Sequence, residues 1–156
     1  MLKHALKKMF LVIAMSVFTV SLHAADWTMA SGYPKSNFHT QNIIKFIDEV
    51  KATTSVNINL NENDTLIKID AIKTSLQRGQ IPIGEIRLGI YGNEDPMYIL
   101  AGLPFIAPDY SSAWLLKDVQ MGYLQEKFAK KGLMILYTSP WPGQGFYTKS
   151  PVNSVA

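Results

Sequence analysis

Residues Phe38 to Ile90 read FHTQNIIKFIDEVKATTSVNINLNENDTLIKIDAIKTSLQRGQIPIGEIRLGI. The apolar period changes along this stretch, and the changes decide the fold. Ile43, Ile47 and Val50 recur at i, i+4 and i+7, the spacing of one helix face, which predicts a helix over Phe38–Thr53 with Asn37 as its N-cap. Val56-Asn57-Ile58-Asn59-Leu60 alternates apolar and polar, a strand pattern. After a polar turn at Asn61–Thr65, Ile69, Ile72 and Leu76 predict a second helix over Leu66–Arg78, with Gly79 where a C-terminal cap glycine belongs. Ile81–Ile90 then reads as a buried strand, punctuated by Pro82, Gly84 and Gly89. Helices alternating with strands imply crossover units on a mostly parallel sheet, an α/β layered domain.

Upstream, Trp27–Ala30 reads as a short first strand and Ser31–Asn37 as a loop. Downstream, Asn93-Glu94-Asp95-Pro96 breaks the chain, and Asp109 caps a third helix of about 20 residues. Leu116, Val119 and Tyr123 mark one side of that helix, with Leu124 and Phe128 alongside. Gly132 ends it, Leu133–Tyr137 reads as a fourth strand, and Pro140–Gly145 as a rigid loop. Ligands of such sheets lie beyond the carboxyl ends of the strands. The loops Ser31–Asn37, Arg87–Asp95 and Pro140–Phe146 each follow a predicted strand and are therefore placed to line one rim.

The amino terminus reads as an export signal covering residues 1–24. Lys3, Lys7 and Lys8 form a positive segment, Met9–Val20 is apolar, and Leu22-His23-Ala24-Ala25 offers small residues for cleavage before Asp26. The apolar run is shorter than the about 20 residues that span a bilayer. The alternatives are an uncleaved anchor or a buried core helix. The formal charge of the whole chain is +3, and the three lysines of this segment account for all of it. The pI of 9.0 thus describes the export signal, and a basic surface for nucleic acid is not supported. The remainder, 25–156, is long enough for one domain, and the 47% hydrophobic content of the chain supplies a core.

The chemistry the chain lacks is informative. It has no cysteine, hence no disulfide, no thiol nucleophile and no cysteine-based metal site. His4 and His23 belong to the export segment, which leaves His39 alone, and a lone histidine at a helix start is more often structural than catalytic. No Cys/His metal cluster can be assembled, and only an all-carboxylate site stays open. No G-x-S-x-G elbow, P-loop or G-x-G-x-x-G fingerprint occurs; Gly143-Gln144-Gly145 is the nearest approach. No cofactor is expected.

What remains suits binding. Glu85 and Arg87 are two apart, so on a strand they share a face. They read either as a solvated edge or mutual salt bridge, or as a pair at the strand's carboxyl end facing a cleft, where Arg87 offers a planar fork to a carboxylate. Tyr33 and Trp141 are candidates for the cleft wall, or for simple packing.

Four stretches carry a resemblance. They are Trp27–Ser31 (WTMAS), Ser75–Glu85 (SLQRGQIPIGE), Leu103–Ile106 (LPFI) and Trp141–Pro151 (WPGQGFYTKSP). In this order they resemble the solute-binding receptors of tripartite ATP-independent periplasmic (TRAP) transporters, of the DctP-like family. The resemblance covers essentially all of the chain after the export segment. It implies a periplasmic-binding-protein type II-like lobe, one of two joined by crossing strands and a long helix, that closes around a small solute and delivers it to membrane permease subunits driven by an ion gradient. The family's usual ligands are organic acids, and the implied location is the periplasm. Carried onto this sequence, the implied site residues are Ser31, Tyr33, Glu85, Arg87, Trp141 and Gln144.

Two departures accompany the resemblance. Members are about twice this length, so residues 25–156 are expected to be the N-terminal lobe without its partner, as a fragment or a truncated reading frame that alone binds weakly or not at all. The arginine that usually grips the substrate carboxylate then has no counterpart here. Some members also carry an arginine where Gln144 stands, while a polar residue of others falls on Arg87. An organic acid is favoured, and an amine or polar solute stays open, because Glu85, Tyr33 and Trp141 also suit a cation. Two other classes compete: a stand-alone exported interaction domain, and an exported hydrolase using Glu85, Asp95 or His39.

Overall fold

The computed structural model describes residues 25–154. The predicted export segment lies outside the described residues. Three parallel strands form a sheet in the order β2-β1-β3. β1 (Ala25–Ala30) lies in the middle, beside β2 (Val56–Asn61) and β3 (Ile83–Gly84). The β1–β2 register runs from Ala25 opposite Val56 to Ala30 opposite Asn61, and Met29 and Ala30 face Ile83 and Gly84.

Each face of β1 seats a different helix, as alternation requires. Met29, Ile58 and Ile83 form one buried cluster with Ile43 of α1 (Phe38–Thr53), and Ile47 and Val50 pack against it. The predicted face of α1 is the observed one. Asn37 caps it, its side chain accepting from His39 N at 2.8 Å. On the opposite face Ala30 meets Ile81 and the fully buried Ile72 of α2 (Ile72–Gln77).

α2 is half the expected length. Asn63 and Asp64 both adopt left-handed backbone angles, φ 56° and 58°. The Asp64 carboxylate then accepts from Ile69 N at 2.8 Å. That bond occupies a donor a longer helix would have used, so turns replace the first half of the predicted 66–78 helix. Its end is as expected, with Gly79 at φ 66°.

The predicted strand over Ile81–Ile90 shrinks to two residues. Glu85 N still donates to Ala30 O at 2.9 Å, but the central strand ends there and Ser31 N turns to Asn61 O. Without a partner the chain coils into a 3-10 turn at Leu88–Tyr91. Leu133–Tyr137 is likewise no strand; Leu133 and Ile135 lie against a separate cluster of Tyr91, Tyr98, Leu124 and Phe128.

α3 (Tyr110–Ala129) begins at the expected cap, with Asp109 accepting from Ser112 N at 2.7 Å. Its buried stripe is Ala113, Gln120, Leu124 and Phe128. Val119, read from the sequence as marking one side of the helix with Leu116 and Tyr123, is 72% exposed. The helix is tied down by a polar seam in which Gln120 and Asp95 are buried: Gln120 Nε2 donates to Met97 O at 3.0 Å, Tyr123 Oη donates to Asp95 at 2.5 Å, and Lys127 pairs with Asp95 at 3.0 Å. The Tyr123 bond, with help from Met97 N and Lys127, pulls the Asp95 carboxyl down to about 2. A second knot forms around the buried Lys73, which pairs with Glu94 and lies 4.0 Å from the centre of the Tyr91 ring. Among the described residues no helix is long and apolar enough to cross a membrane.

Candidate functional site

A cavity of about 820 Å³ runs along the sheet past Trp27, Met29 and Ile83 and reaches the loops that follow the carboxyl ends of β1 and β3. Tyr33, His39, Glu85, Arg87, Tyr137, Trp141 and Gln144 line it, so the three loops do converge on one rim. A more open groove of about 1020 Å³ runs between α1 and α3, past Lys45, Trp114 and Lys117. The first cavity is the better ligand site. One end of it reaches the rim where parallel sheets bind ligands, and there it gathers opposite charges against aromatic walls.

Glu85 leaves the sheet at the last ladder bond, so its position is fixed by β1. Its carboxyl accepts from Ser31 Oγ at 2.5 Å. Ser31 is fully buried and does not line the cavity; it anchors Glu85 and the Tyr33 backbone, whose N–H reaches the same Oγ at 3.3 Å. Burial raises the Glu85 pKa, and the Ser31 bond only partly opposes this. A carboxyl in that condition gains from an N–H donor brought by a ligand.

Arg87 is exposed and makes no ion pair among the described residues. The strand ends before it, so the shared-face argument from spacing does not apply, and the mutual salt bridge does not form. The two residues nevertheless border the same cavity. Arg87 is near enough to Tyr33 for its charge to lower the hydroxyl's pKa, against a larger rise from burial. Its guanidinium keeps a free fork for a carboxylate.

Trp141 stands edge-on to His39, Phe38 and Tyr33, with ring centres at 4.6, 5.5 and 5.6 Å. Its loop is tied to the preceding one by Phe105 N, which donates to Gln144 O at 3.0 Å. Phe105 holds a left-handed φ of 65°, a strained conformation for an aromatic residue. Gly143 runs so close to Pro108 that any side chain there would collide with its carbonyl. The Gln144 side chain donates to Pro142 O at 2.7 Å, inside its own loop.

Two residues outside the candidate binding set join the site. His39 is 4% exposed and stacks on Tyr33, ring centres 5.5 Å apart. Burial lowers its pKa, which favours the neutral ring. Tyr137 lies against Phe46 at 5.3 Å, and burial raises its pKa, with a further push from Glu85. The only signal for His39 was its being the sole imidazole after the export segment, next to a helix cap. Tyr137 was hidden by its expected place in a strand. Among the described residues no group of three or more His, Cys, Asp or Glu side chains could hold a metal ion.

No protein-family model matches the chain, and no curated protein matches it. Solved structures do. DctP7 of Bordetella pertussis, an extracytoplasmic solute receptor binding pyroglutamic acid, is 38% identical over 83% of this chain and 44% of its own, with a TM-score of 0.76. DctP6 of the same organism, described in the same terms, is 38% identical over 72% of this chain and 38% of its own, with a TM-score of 0.70. A TRAP solute binding protein from a marine metagenome, specific for pyroglutamate, is 36% identical over 85% of this chain and 44% of its own, with a TM-score of 0.77. A receptor from Chromohalobacter salexigens with bound D-glucuronate, 21% identical with a TM-score of 0.61, shares the fold. The chain spans about two fifths of the length of these receptors.

Proposed function

From its place among the solute receptors of TRAP transporters, the family to which the chain belongs, we propose that it captures a small organic acid outside the cytoplasm and hands it to ion-gradient-driven TRAP permease subunits. In this reading residues 1–24 direct export to the periplasm, and residues 25–156 supply one lobe of the receptor. The observation that carries it is the free Arg87 guanidinium at the mouth of a cavity walled by Tyr33 and Trp141. A carboxylate satisfies that fork in two parallel hydrogen bonds. Glu85, anchored by Ser31, accepts an N–H from the same ligand. Gln144 closes the rim.

The first ligand to test is pyroglutamate, because it carries a carboxylate and a ring N–H and is what the receptors at 36–38% identity bind. A receptor is stabilised by its ligand in proportion to the logarithm of ligand concentration over Kd. The test is a thermal-shift screen of the purified chain against L-pyroglutamate, sugar acids, dicarboxylates, amines and neutral sugars. A rising melting temperature with one class of acid, lost in Arg87→Ala, is the expected outcome. A panel in which no acid shifts the melting temperature at any concentration refutes the proposal.

A further inference from the structure

The Pro140–Gly145 loop carries Trp141 and Gln144 to the cavity rim, yet residues 133–148 contain no helix or strand to hold it there. The rings that Trp141 meets are an imperfect seat. They carry two polar atoms, Tyr33 Oη and His39 Nε2, that are sealed from solvent without a hydrogen-bond partner among the described residues, and unpaired burial weakens such packing. Among the described residues, the one main-chain hydrogen bond from this loop to another segment is that from Phe105 N to Gln144 O, at 3.0 Å.

Phe105 makes that bond from a left-handed backbone, φ 65°. Asn63 and Asp64 hold similar angles, but their residue types tolerate them, and a bulky aromatic does not. Burial does not account for the exception, since Phe105 is 66% exposed. Strain of this kind persists where the surroundings over-determine it. Here three contacts join 105–108 to 143–146. The Phe105 N–H is bonded to Gln144 O, the Phe105 ring stands edge-on to Phe146 at 5.6 Å, and Gly143 lies so close that a Cβ there would be 2.3 Å from Pro108 O. The φ of Phe105 sets the angle between its own N–H and the chain that runs on to Pro108. Reversing its sign would separate the two main-chain grips.

We infer that Phe105 is a positioning residue of the cavity rim: its left-handed backbone holds the N–H on Gln144 O and Pro108 against Gly143 at once, and this clasp keeps Trp141 against Tyr33 and His39. Phe105 does not line the cavity and acts through the loop alone. That the loop serves solute capture rests on the organic-acid reading above; the clasp between the two segments does not.

The test compares two variants of the purified chain that both lose the ring. Phe105→Asn keeps the N–H on a residue type that visits left-handed angles; Phe105→Val keeps it on a β-branched type that resists them. Their difference therefore reads the backbone. Trp141 is one of three tryptophans, and its indole resonance is identified by its loss in Trp141→Phe. Relaxation dispersion on that resonance reads the ratio of docked to released loop. The ratio should fall about five- to thirtyfold from Phe105→Asn to Phe105→Val, the equivalent of left-handed strain at one residue. Nuclear Overhauser contacts between the Trp141 and His39 rings should survive in the first and weaken in the second. Equal ratios overturn the inference. So does a Trp141 that stays docked in Phe105→Pro, which has no N–H to donate and a φ fixed at about −65°. Where the spectrum shows that Phe105→Val fails to fold, Phe105→Ala is set against Phe105→Asn by the same criterion. Pyroglutamate titration then separates the two readings. Phe105→Val should bind more weakly than Phe105→Asn, and equal affinities despite a split in the ratio overturn the positioning role. A wild type that binds no acid while the ratios split as expected overturns the organic-acid reading and leaves the clasp standing.

Discussion

Gly84 and Ile72 are mutually dependent, and the dependence can be measured. A Cβ built on Gly84 would lie 2.7 Å from Ile72 Cγ2, 3.3 Å from Ile81 Cδ1 and 3.5 Å from Ala30 O. Carbon pairs rest at about 3.5–4.0 Å, so Gly84→Ala must push Ile72 aside by about 1 Å. Overpacking of that kind costs about 1–3 kcal/mol, less the about 0.5–1 kcal/mol that alanine gains over glycine in a strand. Ile72 is 0% exposed. Ile72→Ala deletes three carbons, which at ~0.8 kcal/mol each is ~2.4 kcal/mol of transfer free energy. With the cavity left behind, the loss should fall within about 2–5 kcal/mol. In the double variant the new methyl occupies space that Ile72 has vacated. The two losses should therefore fall short of additivity by about 1–2 kcal/mol, within the range seen for residues in contact. Denaturant unfolding followed by circular dichroism gives all four corners of the cycle. Strict additivity, or a neutral Gly84→Ala, would mean that α2 does not press on β3 as described.

Two further outcomes concern the site. Gly143→Ala should dislodge the Pro140–Gly145 loop, because the added methyl meets the Pro108 backbone rather than a movable side chain. Ligand affinity and the Trp141 environment should change while the unfolding midpoint falls only modestly, as befits a surface loop; an unchanged ligand response refutes this. Glu85→Gln tests the buried carboxyl. Its folded pKa is raised above the ordinary carboxyl value of 4.5, chiefly by burial, so the folded state holds the proton more tightly than the unfolded state. Stability should therefore decline as pH rises from 4.5 through the folded value. The variant removes that decline, so its melting temperature relative to wild type should rise from acid to neutral pH. A difference that does not vary with pH rejects the assignment.

Local patterns were legible where one element settled its own structure. α1 has its cap, its apolar face and its end written within Asn37–Thr53, and β2 shows its alternation in Val56–Asn61. α3 announced its cap and length, but not its face. Its apolar residues run almost all round it, and what orients it is Gln120, Tyr123 and Lys127 bonding to Met97 and Asp95. No hydrophobic count finds such a seam. Strand length was the other failure. Ile81–Ile90 and Leu133–Tyr137 have strand composition, yet a strand exists only where a neighbour offers a ladder. For Ile81–Ile90 the neighbour, β1, stops at Ala30.

That early stop also makes the site. Had β1 and β3 continued together, Glu85 and Arg87 would have pointed to one side of a closed sheet. Because β1 turns away at Ser31, the Ser31 hydroxyl reaches Glu85 and the carboxyl is held at the edge of open space. Arg87, one residue beyond Ile86, is released from pairing and left without a counterion among the described residues. The spacing argument thus paired two residues that do border one cavity, for a reason that does not operate. What brings them to one cavity is the end of the sheet, which is also why ligands collect at the carboxyl ends of parallel strands: there the ladder runs out and polar groups face space that only a ligand or water can fill. The unpaired atoms of Tyr33 and His39 extend the same logic by one loop and one helix cap, beyond the reach of any pattern along the chain.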